Sequence, residues 1–326
     1  MLILNEKEIR QLVPMDAPAL QAVAEGFRKL SCGEATLPPI MRIDVPEHNG
    51  EVDVKSAYLH GLDAFAIKVA AGFFDNASLG LPTGSGMMLV VSAVTGFPQA
   101  VLLDNGYLTD VRTGLAGALA AQYLAPANPH MVGVIGSGMQ SRYQIRALKL
   151  VRDFSRLMVY GIDAAAVQTY AQDMQAELGL SVHVAASAEE VVRQSDLVVT
   201  TTPSRQPIIK AEWLHAGLHI TCMGADSEHK QEVEALAFGK ASRIACDSRA
   251  QCLRLGELHH ALQAGVIDQQ TPITELGEMV AGRLPGRQSP EEITICDLTG
   301  VGVQDTQIAL LAYHCALSQG VGMKID

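Results

Sequence analysis

The sequence has no CxxC pair, no excess of basic residues and no long apolar run, and each absence closes off a class of function. Its six cysteines (Cys32, Cys222, Cys246, Cys252, Cys296 and Cys315) are scattered, several inside apolar runs such as Ile295-Cys296 and Ala245-Cys246. That pattern reads as buried, reduced thiols in a reducing compartment rather than a disulfide framework. Lys and Arg total 24 against 35 Asp and Glu, a net charge of −11. The basic face a nucleic-acid binder needs to displace counterions from phosphates is therefore missing. Arg142-Tyr143-Gln144-Ile145-Arg146 reads as a solvated helix face and Arg283-Leu284-Pro285-Gly286-Arg287 as a solvated loop. No window approaches the ~18 apolar residues expected of a membrane span. The start turns charged at Glu6-Lys7-Glu8 and lacks the basic and apolar regions of a signal peptide, so a cytoplasmic location is expected. No GxSxG or Ser/His/Asp set appears. Adjacent His259 and His260 on one helix would point about 100° apart, without metal-ligand spacing.

What is present is a change of rhythm. The 326 residues, 48% hydrophobic and 18% charged with 29 glycines, suit a compact α/β protein of two domains. Helical spacing covers 6–13 and 17–31. Strand-like runs follow over 40–45, 52–59, 64–72, 86–92 and 98–103. Turn signals at Asn49-Gly50, Leu81-Pro82-Thr83-Gly84 and Thr95-Gly96 separate them, predicting a largely antiparallel sheet. An Ala-rich helix over 110–124 ends at Ala125-Pro126.

After Pro129 apolar strands over 131–135, 157–160, 181–184, 197–201, 219–223, 243–246 and 294–297 alternate with helices, including 164–178 and 248–264. Repeated βα units of this length imply a parallel sheet covered on both faces, a doubly wound Rossmann-type domain. The last helix, 304–318, has no strand after it and is expected to pack back on the first domain. The expected division is 126–302 for the parallel-sheet domain, with 1–125 and 303–326 forming a discontinuous α+β domain.

The strongest local signal is Val132-Gly133-Val134-Ile135-Gly136-Ser137-Gly138-Met139-Gln140-Ser141. An apolar strand feeds a glycine turn and a helix opens at once. Gly136 permits the tight turn, Gly138 lets backbone approach a pyrophosphate, and the helix N-terminus offers free N–H groups. Ser141 stands where a third glycine is usual. The next strand ends Val159-Tyr160-Gly161-Ile162-Asp163, and Asp163, slightly late, is the nearest acid for ribose hydroxyls. No Arg follows to take a 2′-phosphate, which favours NAD over NADP.

Beyond this turn, several motifs occur in order: Ala66-Ile67-Lys68-Val69; Gly80-Leu81-Pro82-Thr83; Leu108-Thr109-Asp110-Val111-Arg112-Thr113-Gly114; Met223-Gly224-Ala225-Asp226 with Lys230-Gln231-Glu232; and Thr299-Gly300-Val301-Gly302-Val303-Gln304-Asp305. Together with the glycine turn they resemble the ornithine cyclodeaminase/mu-crystallin family over nearly the whole chain, most of all its ectoine-utilisation cyclodeaminase-like proteins and imino-acid reductases. The resemblance implies a Rossmann domain beside a substrate and dimerisation domain built from both chain ends, and a homodimer.

It also implies roles. Arg42, with Lys68 nearby, would hold the carboxylate of a small α-amino or α-imino acid, and Arg112 the substrate carboxylate or cofactor phosphates. Lys68 and Asp226 would be the catalytic acid/base groups. Cofactor contacts are implied for Thr83, Arg112, Gly136, Ser137, Gly138, Met139, Gln140, Asp163, Thr200, Thr201, Thr202, Met223, Gly224, Ala225 and Thr299. The residues themselves speak for some of this. A guanidinium matches a planar carboxylate. Lys68 interrupts an apolar run, where a charge is costly unless paired or used. Tyr58, His60, Phe73 and Phe74 are nominated as pocket residues by nearness to Lys68. No metal is implied.

Three functions fit: an NAD(P)-linked amino-acid dehydrogenase or imine reductase; a cyclodeaminase in which NAD is retained and redox is net zero; and a non-catalytic ligand-binding protein. The first is favoured.

Overall fold

The computed structural model describes residues 1–325, apart from the side chain of residue 77. The chain divides into two compact units, Met1–Arg112 with Val301–Asp326, and Thr113–Gly300.

The first unit is built on one sheet of β1 (Leu2–Asn5), β2 (Ala35–Thr36), β3 (Met41–Val45), β4 (Gly50–Leu59), β5 (Ala64–Phe73), β6 (Gly84–Ser92), β7 (Pro98–Leu103) and β18 (Met323–Lys324). The order is β18-β1-β7-β6-β5-β4-β2, with β3 also on β4. All pairs are antiparallel except β1 with β7. The expected run of antiparallel strands is present. The short β1 went unread because four residues do not display a period.

The pleat gives this sheet two unlike faces. Ala57, Leu59, Ala64, Ala66, Val90, Ala100 and Leu102 are buried on one, under α2 (Ala17–Ser31) and α10 (Gly302–Gln319). Asp16 caps α2 by accepting from the Ala19 amide, and Gly320, at φ 67°, ends α10 in the left-handed conformation. Thr306 Oγ1 donates to Ala57 O at 2.7 Å and accepts from Ala66 N at 3.1 Å, fixing α10 across β4 and β5. The last long helix thus packs on the first unit, as expected, but a short strand does follow it: β18 pairs with β1, two residues being too few to show a period in the sequence. The other face carries Val52, Val54, Phe65, Ile67, Val69, Leu89, Val91 and Val101, all partly exposed.

The second unit has strands β8 (Val132–Ile135), β9 (Arg156–Tyr160), β10 (Ser181–Val184), β11 (Leu197–Thr200), β13 (His219–Cys222), β15 (Arg243–Cys246), β16 (Ile273–Glu275) and β17 (Thr294–Asp297). They form one parallel sheet in the order β10-β9-β8-β11-β13-β17-β15-β16. A small ladder joins β12 (Arg205–Ile209) to β14 (Gln231–Val233). Strands β8, β11, β13 and β17 are buried along their whole length, which explains their near-continuous apolar runs. The order reverses direction between β8 and β11, the switch point at which such sheets open a crevice. Connecting helices include α4 (Met139–Leu148), α5 (Ala164–Leu178) and α6 (Ala188–Gln194).

Three expectations are corrected. The expected boundaries lay at 125/126 and 302/303, whereas the units divide at 112/113 and 300/301. The reason is α3 (Tyr107–Leu124): from Thr113 on, its carbonyls are held by the second unit. Gln144 Nε2 donates to Thr113 O at 2.9 Å, Arg152 Nη2 to Ala121 O at 2.7 Å, and Arg287 Nε to Leu124 O at 2.6 Å. The loop is exposed over 283–285 as expected, but the Arg287 side chain turns inward and also donates to Thr294 Oγ1 and Glu292 O. Finally, the helix expected over 248–264 is two helices, α7 (Arg249–Cys252) and α8 (Gly256–Gln263), because Gly256 adopts φ 72°.

A Cβ on Gly302 would lie 2.3 Å from Ser56 O. Gly302→Ala is therefore expected to destabilise the first unit by about 2 kcal/mol, read as a lower denaturation midpoint with an unchanged slope.

Candidate active site

In the second unit the glycine turn follows β8. Gly136 adopts φ 111°, and a Cβ there would meet Thr201 Oγ1 at 2.6 Å. Gly138 differs: it has φ −79°, and a Cβ would touch no protein atom within 4 Å. Neither backbone strain nor packing calls for glycine at 138, whose lack of a side chain leaves the backbone there open to close approach. Gly138 is the N-cap of α4, and no side chain caps that end. Four amide donors at a helix N-terminus with no side-chain acceptor, beside an open glycine, suit a pyrophosphate. Arg142, read from sequence as solvated, donates to Ser137 O at 2.8 Å and Gly138 O at 3.2 Å and holds the turn in shape. Buried Ser141 donates to Gly138 O at 2.7 Å. Met139 is exposed and Gln140 half-buried. Asp163 caps α5, its Oδ1 accepting from Ala165 N and Ala166 N.

The ends of β11 and β13 are joined by a buried carboxylate. Glu232 Oε2 accepts from Thr200 Oγ1 at 2.6 Å and Gly224 N at 2.8 Å, and Oε1 accepts from Thr202 N at 2.5 Å. Burial pushes the Glu232 carboxyl up, against these donors, which pull it down. Ala225 is buried, Met223 half-buried, and Thr299 donates to buried Asp247 at 3.2 Å. Asp226 is paired with Lys230 Nζ at 2.7 Å. His260 Nε2 bonds Lys230 O at 2.8 Å.

The first unit concentrates its charge on one half of the buried sheet face. Lys68 is 2% exposed; its Nζ donates to Asp305 Oδ1 at 3.0 Å and lies 3.0 Å from Oδ2. Arg112 Nε stands 3.0 Å from Asp305 Oδ1 without hydrogen-bond alignment, and Nη1 reaches Gln304 Oε1 at 3.5 Å. Asp305 is completely buried between the two cations. Lys55, also buried, is directly opposite Lys68 across β4 and β5. Burial first, then Arg112 and Lys55, outweigh Asp305 and bring Lys68 down to about 7. Burial also lifts Asp104 to about 6; it accepts from Leu108 N at 2.7 Å.

Arg42 is already engaged: it bonds Asp44 at 2.9 Å and Glu51, and lies 3.8 Å from Asp53. Thr83 is exposed in the turn before β6, its carbonyl accepting from Phe73 N. Tyr58 and Phe73 are corrected as pocket residues. They stand at odd offsets from the Lys55–Lys68 pair, so the pleat turns them to the opposite face. His60 bonds Thr36 instead, at 3.0 Å. Phe74 opens the short 3-10 turn after β5.

Sheet order, glycine turn and buried cations define a dinucleotide-binding unit joined to a cation-bearing sheet. The family model described as "Ornithine cyclodeaminase/mu-crystallin family" matches residues 1–320, and the chain belongs to that family. An alanine dehydrogenase of Archaeoglobus fulgidus is 39% identical over 99% of this chain and 98% of its own. The structure of Thermococcus litoralis Δ1-pyrroline-2-carboxylate reductase with NADH and L-proline superposes with a TM-score of 0.94 at 31% identity, covering 100% of both chains. The iminosuccinate reductase of Paracoccus denitrificans with NAD⁺ gives a TM-score of 0.90 at 30% identity, covering 100% of this chain and 99% of its own.

Asp305→Asn leaves two buried cations without their counter-charge and is expected to cost about 3 kcal/mol. Adding Lys68→Met should recover part of that loss, a non-additivity that thermal melts of both single variants and the double variant would read.

Proposed function

We propose that this chain is an NAD-dependent oxidoreductase acting on the C–N bond of a small α-amino or α-imino acid, in the imine-reducing or amine-oxidising direction. The observation that carries this reading is the Lys68–Asp305–Arg112 cluster: a lysine near neutrality beside a guanidinium, buried together on one carboxylate. The family relatives named above act on substrates of that class.

In this reading the amides at the start of α4, over Ser137, Gly138, Met139 and Gln140, hold the cofactor pyrophosphate. Gly136 supplies the turn, and Asp163 faces the ribose. Thr200, Thr201, Thr202, Met223, Gly224, Ala225 and Thr299 line its other end. Bound cofactor supplies or accepts the hydride. Arg112 holds the substrate carboxylate and Lys68 gives the proton to the nitrogen that leaves reduction as an amine. Arg42, saturated by its own carboxylates, orients the strand edge and meets substrate only by exchanging partners. Asp226, held by Lys230, is a second acid/base group. Thr83, exposed in the turn before β6, is assigned a cofactor contact in this reading on the family resemblance alone.

Purified protein incubated with NAD and a panel of amino acids, diamino acids included, tests the reaction. NADH rising in proportion to ammonia is the expected result. Ammonia without net NADH, from a diamino acid, would replace this reading with a cyclodeaminase. The proton role has its own sign. Lys68 must be protonated for reduction, so kcat/KM for imine reduction falls as pH rises through about 7, while amine oxidation rises across the same interval. Lys68→Met should lower the rate about 100-fold and erase that limb.

The partly exposed apolar face of the first sheet supports a homodimer, with a second copy covering Phe65, Ile67, Val69 and Leu89. Light scattering should give twice the chain mass of 34.7 kDa, and Ile67→Asp should give monomer. The four buried thiols, Cys222, Cys246, Cys252 and Cys296, fit a cytoplasmic enzyme.

A further inference from the structure

Glu232 lies on β14, outside the main sheet, and is completely buried, with both carboxylate oxygens taken by donors of the protein itself. Its carboxylate nevertheless collects donors from two separate loops. Thr200 and Thr202 lie at the end of β11, and Gly224 follows β13. These strands are neighbours in the sheet, in register Thr200 with Cys222. One side chain therefore fixes the distance between two loops at the carboxyl ends of adjacent parallel strands, where ligands of such sheets bind.

Its seat is specific in two further ways. A Cβ on Gly224 would lie 2.2 Å from Thr202 O and 2.6 Å from Glu232 Oε2, so glycine at 224 is required by this clasp. Glu232 is itself held from behind, because its amide donates to Glu257 Oε1 at 2.6 Å and the Val233 amide to Oε2 at 3.1 Å. Glu257 is also completely buried.

Sheet order tells which part of a dinucleotide these loops meet. The glycine turn after β8 lies at the switch point, and Asp163, assigned to the ribose in the reading above, follows β9, on one side of it. The adenosine half therefore lies over β9, and the nicotinamide half over β11 and β13.

We propose that Glu232 is a positioning residue for the nicotinamide half of the cofactor, setting the spacing of the Thr200–Thr202 and Gly224 loops without touching the cofactor. The inference rests on the NAD reading above. A glutamine at 232 keeps the shape but turns an NH2 group toward a backbone or hydroxyl donor, so one loop is released.

The test compares two ligands that share the adenosine half. NADH binding is followed by its fluorescence and ADP-ribose binding by calorimetry, in wild type, Glu232→Gln and Thr200→Val. Loss of a charge-assisted hydrogen bond should weaken NADH about tenfold in Glu232→Gln and a few-fold in Thr200→Val, with ADP-ribose changed less than about twofold in both. A general loss of fold would weaken both ligands together. Equal losses, or no loss of NADH binding, would overturn the inference while leaving the cofactor reading intact. Should Glu232→Gln fail to fold, the split in Thr200→Val decides. Wild-type protein that binds ADP-ribose and NADH not at all would overturn the cofactor reading itself.

Discussion

Everything in the first unit is arranged around one buried carboxylate that two cations share. Asp305 comes from the last helix, Lys68 from the middle of the sheet and Arg112 from the start of α3. Three charges so fully removed from water are tolerable only because each neutralises another and their geometry is held on rigid elements. The sheet supplies that rigidity through Thr306, which ties α10 to β4 and β5 one residue from Asp305. The cluster has one negative charge for two positive ones, with Lys55 opposite. Burial first, and that imbalance second, lower Lys68, and an incoming carboxylate would offset the imbalance.

The second unit solves a different problem with the same means. Loops at the carboxyl ends of parallel strands have backbone amides that no neighbouring strand satisfies. Here they donate to buried acids. Glu232 takes amides of Thr202 and Gly224, Asp247 takes those of Ser248 and Gly300, and Asp297 that of Leu258. Burial raises all three carboxyls. Amide donors satisfy both oxygens of Glu232 and Asp247, whereas Asp297 accepts through Oδ2 and its buried Oδ1 is left without a hydrogen bond. The loops are rigid because something buried holds each of them, which is what a cofactor site on loops requires.

How much of this could be read in advance depended on the kind of signal. Helix Ala164–Leu178 and strand Ser181–Val184 fell where the pattern put them, because Asp163 caps the helix and Gly179 ends it. The helix over 248–264 did not, because an isolated Gly256 inside a helical pattern leaves no trace of its left-handed conformation. Lys68 was legible as a charge inside an apolar run. Asp305 was not singled out, since an acid in the first turn of a helix ordinarily faces water, and only the fold turns this one inward. Glu232 stood within the motif Lys230-Gln231-Glu232 but was given no role, because nothing in that short polar run shows that its carboxylate is buried. Tyr58 was misplaced by one step of the pleat, the smallest error possible in a strand and one that changes the face completely. For Asp305 and Glu232, burial of the polar group was decided by partners elsewhere in the sequence.

The return of α10 to the first unit has a consequence for how the molecule comes into being. A chain emerging from its amino end delivers Lys68 and Arg112 long before Asp305. Until the final helix arrives, the first sheet lacks both the cover over Ala57 and Ala66 and the counter-charge for its two cations. The second unit suffers no such delay, because all its strands lie within one continuous stretch. Biogenesis should therefore run inward from the middle: the nucleotide-binding half closes first, while the sheet that starts the chain waits, incomplete, for its last residues.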